Sequence, residues 1–310
     1  MDWIKVRAYC SSANLGCGFD IMAVALNAFY DEVELGIEEP GKGNVYVDEV
    51  KGPYASKEML MKNTAKKAIE AILSDLGLNV NVAIRLWKGV PIGRGLGSSG
   101  ASAAATVKAI TLALDLNLHD SRLVEYAGIG ESEAAGSIHY DNVAASLLGG
   151  LVVITSRRPL RVVKIPLKDL YFVLGIPEVT IAKAKTAFMR SVIPNTISLD
   201  LHVEASARLA ALILGLMNKD RELLLKGTYD PIVEAARSKY IPCYQQVRRK
   251  AIEAGALGVT ISGAGPSMIA LTDNEKLARE VARAFREAYE ECCIASKIIV
   301  CRPISGAHRV

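Results

Sequence analysis

The sequence predicts an α+β protein of two domains, and three observations carry that prediction. The chain has 310 residues, 51% apolar and 23% charged, the balance of a globular enzyme with a large core. Strand-like and helix-like stretches are mixed along it rather than strictly alternating, which argues against a single doubly wound sheet. Ser156-Arg157-Arg158-Pro159 then breaks the pattern near the middle and divides the chain into residues 1–156 and 157–310.

The elements follow in order. Ile4, Val6, Ala8 and Cys10 alternate with polar or smaller neighbours, and Val33, Leu35 and Ile37 alternate with glutamates; both read as half-buried strands able to pair antiparallel. Asn63-Thr64 opens a helix with the apolar stripe Ala65, Ala68, Ile69, Ile72 and Leu73, stopped by Gly77. Residues 80–87 alternate as a strand, 101–116 form an alanine-rich helix, and 141–148 and 151–155 form a helix and a strand. Beyond the break, strands are expected at 162–165, 171–176, 256–262, 267–271 and 296–301, and helices at 198–217, 243–254 and 274–292.

Between the strand at 80–87 and the alanine-rich helix lies Pro91-Ile92-Gly93-Arg94-Gly95-Leu96-Gly97-Ser98-Ser99-Gly100-Ala101. Its glycines let backbone amides turn toward an anion, and the helix after it adds its own free amides and positive dipole end. Strand, glycine loop and helix in that order make a nucleotide-dependent phosphotransferase the leading reading. No G-x-x-x-x-G-K-[ST] occurs, so this is not a Walker loop. A dinucleotide fold is a weaker competitor: Gly93 to Gly100 contains the G-x-G-x-x-G spacing, and Asp115 and Asp120 lie at about the distance of a ribose-binding carboxylate, but Asp115 is expected inside the apolar helix and not at the end of a second strand. A plain interdomain linker is the other alternative.

Composition excludes more than it identifies. A net charge of +4 with no long basic run speaks against nucleic acid as a partner. No signal sequence or uninterrupted apolar span is present, so a cytoplasmic protein with no membrane association is expected. The cysteines at 10, 17, 243, 292, 293 and 301 contain no C-x-x-C pair and are expected as reduced thiols. Neither they nor the four scattered histidines suggest a zinc site.

Three separated motifs, Ser12-Ala13-Asn14-Leu15-Gly16-Cys17-Gly18-Phe19-Asp20, the loop from Pro91, and Ser262-Gly263-Ala264-Gly265-Pro266-Ser267, together resemble the GHMP superfamily of galactokinases, homoserine kinases, mevalonate kinases and phosphomevalonate kinases. Residues 139–144, 185–194, 235–242 and the ending Gly306-Ala307-His308-Arg309-Val310 look like the homoserine kinase branch. Tyr140, Ala145 and Cys17 depart from that branch's usual residues, and Tyr140 could reshape the substrate pocket. The resemblance implies a two-domain fold, an N-terminal ribosomal-protein-like α/β domain and a C-terminal ferredoxin-like α+β domain. It also implies ATP and Mg²⁺ as cofactors, L-homoserine as the phosphoryl acceptor, and a homodimer as the usual assembly.

The same resemblance assigns roles. Ser99 and Glu131 would hold Mg²⁺, which needs few protein oxygens beside those of ATP; residue type alone makes them a helix N-cap and a surface carboxylate. Asn63, Lys88 and residues Pro91, Ile92, Gly93, Arg94, Gly95, Leu96, Gly97, Ser98, Ser99, Gly100 and Ala101 would bind the nucleotide, with Lys88 acting through its backbone and Asn63 reading equally as an N-cap. Asn14, Asp20, His139 and Asn142 would face the acceptor. Phe19 beside Asp20 argues for partial burial, which an α-ammonium group would offset. Arg190 and Arg237 would grip the acceptor's carboxylate with paired hydrogen bonds. Their bland alternatives are an Asx-turn, a loop acid, a loop imidazole, an N-cap and two surface ion pairs. Asn142 stands where related kinases place a carboxylate, and it cannot accept a proton at neutral pH, so a catalytic base is expected to be missing. The turn at 262–266 reads as a brace against the phosphate loop. Kinases of the same fold acting on mevalonate or shikimate, and a nucleotide-binding regulator without catalysis, remain the alternatives.

Overall fold

Two antiparallel-rich sheets share one apolar cluster between them, and each packs a further cluster against helices on its other face. The computed structural model describes residues 3–61, 63–135, 138–167, 169–181 and 184–310. In chain order these form β1 (Trp3–Asn14), β2 (Gly18–Glu38), β3 (Val45–Lys51), α1 (Thr64–Leu76), β4 (Asn81–Trp87), α2 (Ser98–Ala113), α3 (Asp120–Ala135), α4 (Tyr140–Leu148), β5 (Leu151–Arg157) and β6 (Leu160–Ile165). There follow β7 (Tyr171–Pro177), α5 (Lys185–Ser191), α6 (Leu199–Asn218), α7 (Arg221–Gly227), α8 (Val233–Arg237), α9 (Tyr244–Glu253), β8 (Gly258–Ile261), β9 (Met268–Thr272), α10 (Glu275–Glu291), β10 (Ser296–Cys301) and β11 (His308–Arg309).

The first sheet runs β11-β1-β2-β4-β3, with β5 pairing the far part of β2 and β6 pairing β5. Only β3 against β4 is parallel. The long β2 serves both arms: its C-terminal half pairs β4 while Met22 to Val24 pair β5. The division expected at 156/157 therefore falls inside the β5–β6 hairpin, and β6 and the chain's end both belong to the first sheet. The second sheet, β10-β7-β9-β8, is wholly antiparallel.

Period-two burial explains how the layers join. Along β7, Phe172 and Leu174 face an apolar cluster shared with Met22, Val24, Leu26, Leu96 and Ala101 of the first half. Val173 between them faces α9 and α10, with Val247, Val281 and Phe285. β9 repeats the division, with Ile269 and Leu271 on one side and Met268 and Ala270 on the other. The helix α2 is buried on almost every side, so its small side chains let β1, β2, α3 and α4 approach it closely. It ends at Ala113, and Asp115 lies beyond it at φ 49° instead of inside the helix as expected. At that distance from the loop no strand carries a ribose-binding acid.

One expectation is overturned, and one helix lay outside the sequence reading. Cys243 and Cys292 form a disulfide across 49 residues, with Cα atoms 6.1 Å apart, instead of reduced thiols; the start of α9 and the end of α10 lie side by side, which their spacing in sequence conceals. Cys10, Cys17 and Cys301 are buried free thiols and Cys293 an exposed one. The helix α3 was not anticipated, because Gly128 and Gly130 weaken helix propensity. A side chain at Gly130 would meet the Thr64 carbonyl at 2.7 Å and Ala68 at 2.8 Å, so the glycine is what lets α3 lie against α1.

Glu234 in α8 is buried between β8 and α9, where it accepts hydrogen bonds from the Tyr244 hydroxyl at 2.7 Å and the Thr260 hydroxyl at 2.9 Å. Burial pushes its carboxyl up to about 7 against the weaker opposing effect of these donors. The folded state then holds a proton that the unfolded chain has released, so this residue's contribution to stability falls as pH rises from the unfolded value toward about 7. Relative to wild type, Glu234→Gln is expected to become more stable between about pH 5 and about pH 8, read as a widening difference in Tm. A constant difference across that range would refute the assignment.

Candidate active site

The loop after β4 is anchored before it reaches the site. Asp31 of β2 accepts the amides of Gly89 and Val90, each at 2.9 Å, and the Ser102 hydroxyl at 2.7 Å. The Lys88 ammonium is buried against the same carboxylate and also donates to the Ser98 carbonyl at 2.6 Å and to Ser102 at 2.8 Å. Burial draws its pKa down, and Asp31 opposes this. The Lys88 side chain thus ties the loop's start to the first turn of α2. Its backbone N–H and C=O bond Lys51 and Tyr54, so the main chain at Lys88 is also engaged.

From Pro91 to Gly97 the chain turns with Gly93, Gly95 and Gly97 in the left-handed region. At Gly95 a Cβ would lie 2.1 Å from the Ser262 carbonyl, and at Gly97 one would lie 2.1 Å from the Ser11 hydroxyl; both positions need glycine for φ and for space. Leu96 is the loop's buried anchor, and its carbonyl accepts the Ser11 amide at 3.1 Å. Ile92 is exposed at the loop's outer edge, and Arg94 donates to the Pro177 carbonyl at 2.5 Å. Ser98 closes the turn by donating to the Val90 carbonyl at 2.9 Å. Gly100 packs against Asn142 and Val143 of α4, and Ala101 is buried in the shared core.

The three sequence motifs converge on this loop. Ser262 donates to the Gly95 carbonyl at 2.7 Å and is hydrogen-bonded to the Ser12 hydroxyl at 2.9 Å. The Gly263 amide donates to the Ala13 carbonyl at 3.1 Å, and the Asn14 amide donates to the Gly263 carbonyl at 3.0 Å. Asn14 Oδ1 in turn accepts the Asp20 amide at 3.2 Å, so the Asn14 side chain shapes the loop that carries Asp20.

Ser99 in the first turn of α2 donates to Glu131 of α3 at 3.1 Å, and the other oxygen of Glu131 accepts the His139 amide at 3.1 Å. Glu131 is buried, with the His139 ring 3.7 Å away, and the hydrogen bond to Glu131 raises the imidazole's pKa. Beside them Asp141 is fully buried; burial pushes its carboxyl up to about 7, and the Asp20 charge adds to this. Asn142 Oδ1 accepts the Ser11 hydroxyl at 2.9 Å, leaving the amide N–H groups of Asn142 as what this side chain can offer a ligand.

The second half supplies the cations. Both oxygens of Asp20 accept Arg190 Nη2 at 2.7 Å. Arg237 is buried, donating to the Met189 carbonyl at 2.8 Å and the Gly263 carbonyl at 3.2 Å; burial, and then Arg190, bring its pKa down to about 10. Both guanidinium groups lie over the Phe19 ring, at 5.3 Å and 5.2 Å. Asn63 stands apart in its bonding: it caps α1 by accepting the Ala65 amide at 2.8 Å and donates to the Met59 carbonyl at 2.9 Å. Asp31, Asp141 and Lys185 were missed. Asp141 and Lys185 lay within segments already singled out, and the surroundings of Lys185 come from residues 79 and 80 positions away.

The family model for the GHMP kinase N-terminal domain matches residues 63–150, and that for the C-terminal domain matches residues 211–291. The chain belongs to the GHMP kinases. Its curated relatives include a homoserine kinase of Aeropyrum pernix, 46% identical over 98% of this chain and 97% of that one, and one of Saccharolobus solfataricus, 39% identical over 94% of each. A crystal structure of homoserine kinase from Cytophaga hutchinsonii, 35% identical, superposes with a TM-score of 0.90 over 100% of this chain and 98% of that one. Within the GHMP kinases the chain belongs with the homoserine kinases. A structure of L. major mevalonate kinase, 17% identical with a TM-score of 0.69, shares the fold.

A hydroxyl and a buried carboxylate facing each other across the start of α2 are hard oxygen donors suited to Mg²⁺. Among the described residues no cluster of three or more His, Cys, Asp or Glu could hold a metal by itself. Glu131→Gln keeps one acceptor for the Ser99 hydroxyl, so the fold is expected to persist while turnover falls about a hundredfold or more. Higher Mg²⁺ should recover part of the loss; near-wild-type turnover at ordinary Mg²⁺ would speak against Glu131 as a Mg²⁺ ligand.

Proposed function

We propose that the protein transfers the γ-phosphoryl group of ATP to the side-chain hydroxyl of L-homoserine, yielding O-phospho-L-homoserine for threonine synthesis. The observation that carries the reading is the convergence of the phosphate loop, the Ser99–Glu131 pair and the Asp20–Arg190–Arg237 group on one site built from both halves. The acceptor is an amino acid, and the site offers a carboxylate for its ammonium group and guanidinium groups for its carboxylate.

In this reading the amides of the loop and of α2's first turn hold the triphosphate, and Ser99 and Glu131 hold Mg²⁺. When bound, the ion supplies neutralisation of charge on the phosphate oxygens. Asp20 and Arg190, paired with each other here, exchange that contact for the ammonium and carboxylate of the acceptor. Asn142, its carbonyl oxygen held by Ser11, donates to the acceptor hydroxyl and orients it. An amide N–H cannot take a proton, so the hydroxyl proton passes to a phosphate oxygen. Asp141 is the carboxyl to check: an acid limb in kcat that disappeared in Asp141→Asn would make it the base.

ADP release measured with homoserine, mevalonate, shikimate and galactose tests the substrate, with homoserine expected to be used and the others not. The Arg190 side chain hydrogen-bonds Asp20 alone among the described residues and is half exposed, so it can be removed with less structural cost than Arg237. Arg190→Ala should lower kcat/KM for homoserine by about two to three decades. It should scarcely change kcat/KM for 3-amino-1-propanol, which lacks the carboxylate. Equal proportional losses would mean that Arg190 serves the fold or ATP.

A further inference from the structure

The segment 185–194 was set apart in the sequence, yet the proposed reaction gives its first residue no task. Lys185 begins α5, and its ammonium donates to the carbonyls of Ala264, at 3.2 Å, and Gly265. Those carbonyls belong to the brace that presses on the phosphate loop: a Cβ on Gly95 would come within 2.9 Å of the Gly265 carbonyl. The ammonium therefore sits one backbone layer from the loop expected to cradle phosphate. It has three N–H donors, and two acceptors face them among the described residues.

The surrounding charge is one-sided. Arg94 comes from the phosphate loop and Arg237 from α8, and both disfavour the Lys185 charge. Neither arginine, nor Lys185, has a carboxylate within ion-pair distance among the described residues; Asp20 is taken by Arg190. Burial first, then Arg237 and Arg94, brings the Lys185 pKa down to about 7. Three cations from three elements thus meet beside a phosphate loop without a paired carboxylate. That arrangement is costly in the empty protein and favourable once an anion enters. A structural lysine needs only the two carbonyls; the positive charge gathered around it favours an anion in addition.

We propose that Lys185 is a phosphate ligand of the nucleotide site, its free N–H directed to the terminal phosphate oxygens of ATP as the phosphoryl group is transferred. This rests on the kinase reading above. No bond to Lys185 forms or breaks: it supplies a proton-bearing cation where charge on the transferred group is greatest. Entry of the triphosphate raises the ammonium's pKa, so a fraction of Lys185 that is neutral in the free protein takes up a proton on binding. The other titratable groups facing the site, Asp20, His139, Asp141 and Glu131, with Asp230 near Arg237, are unaltered by substitution at 185.

The test is calorimetric titration of the whole protein with MgATP at about pH 7.5 in two buffers of different ionisation enthalpy. It needs no acceptor, so it stands even if homoserine proves not to be the substrate. Wild type should take up a fractional proton. Lys185→Arg, permanently charged, should bind with similar affinity and take up measurably less. Lys185→Met should bind about tenfold to a hundredfold more weakly, also with reduced uptake. In turnover, Lys185→Arg should retain most of kcat and lose a decline in kcat/KM for ATP above about pH 7 that wild type shows. The proposal is overturned if Lys185→Met binds MgATP with wild-type affinity and proton uptake, or if all three proteins share one pH profile. Melting curves of both variants check that the brace is intact.

Discussion

Everything in the site depends on the contact in which the Ser262 hydroxyl holds the Gly95 carbonyl, while Gly263 and Asn14 lock the brace to the end of β1. A glycine loop has wide conformational freedom, and a loop that must present its amides to phosphate has to lose that freedom before the ligand arrives. Here the loss comes from outside the loop. Asp31 and Lys88 fix where it begins, Ser11 holds Leu96, and the turn between β8 and β9 closes over Gly95. The glycines at 95 and 97 are needed because other backbone and side-chain atoms already occupy the space that a Cβ would fill.

The same seam brings opposite charges together. The first half contributes the carboxylates Asp20, Glu131 and Asp141, and the second contributes Lys185, Arg190 and Arg237. Neither half alone could handle an ammonium group, a carboxylate and a triphosphate. The apolar cluster shared by Leu96, Ala101, Phe172, Leu174 and Leu212 keeps the halves in register. The site is therefore a product of the interface between two sheets and not of a preformed pocket in one of them.

Periodicity made part of this legible. The strand at 80–87 and the helix at 141–148 lie within a residue of where the sequence pattern placed them, although both are buried on more than one face. β3 was invisible: its alternating positions are largely exposed, and it pairs parallel to β4 at the sheet's edge. α5, α7 and α8 are too short for helical periodicity to declare itself. The motifs identified Ser99, Glu131, Asp20 and Arg190 as candidates, and the structure brings them to one place. It also gives Arg237 and Asn63 backbone partners that residue type could not reveal. Asp31 and Asp141 were missed because a buried acid is recognised by its surroundings, and those come from strands and helices remote in sequence.

The central claim is that contacts from outside it pre-shape the phosphate loop, and Gly95→Ala tests it most directly. The added methyl group would meet the Ser262 carbonyl at 2.1 Å with the backbone at φ 75°, so the loop must leave its brace. Titration with MgATP should show affinity reduced about a hundredfold or more, with the melting transition still cooperative and the far-ultraviolet circular dichroism unchanged. A Gly95→Ala protein that bound MgATP with wild-type affinity would contradict the account.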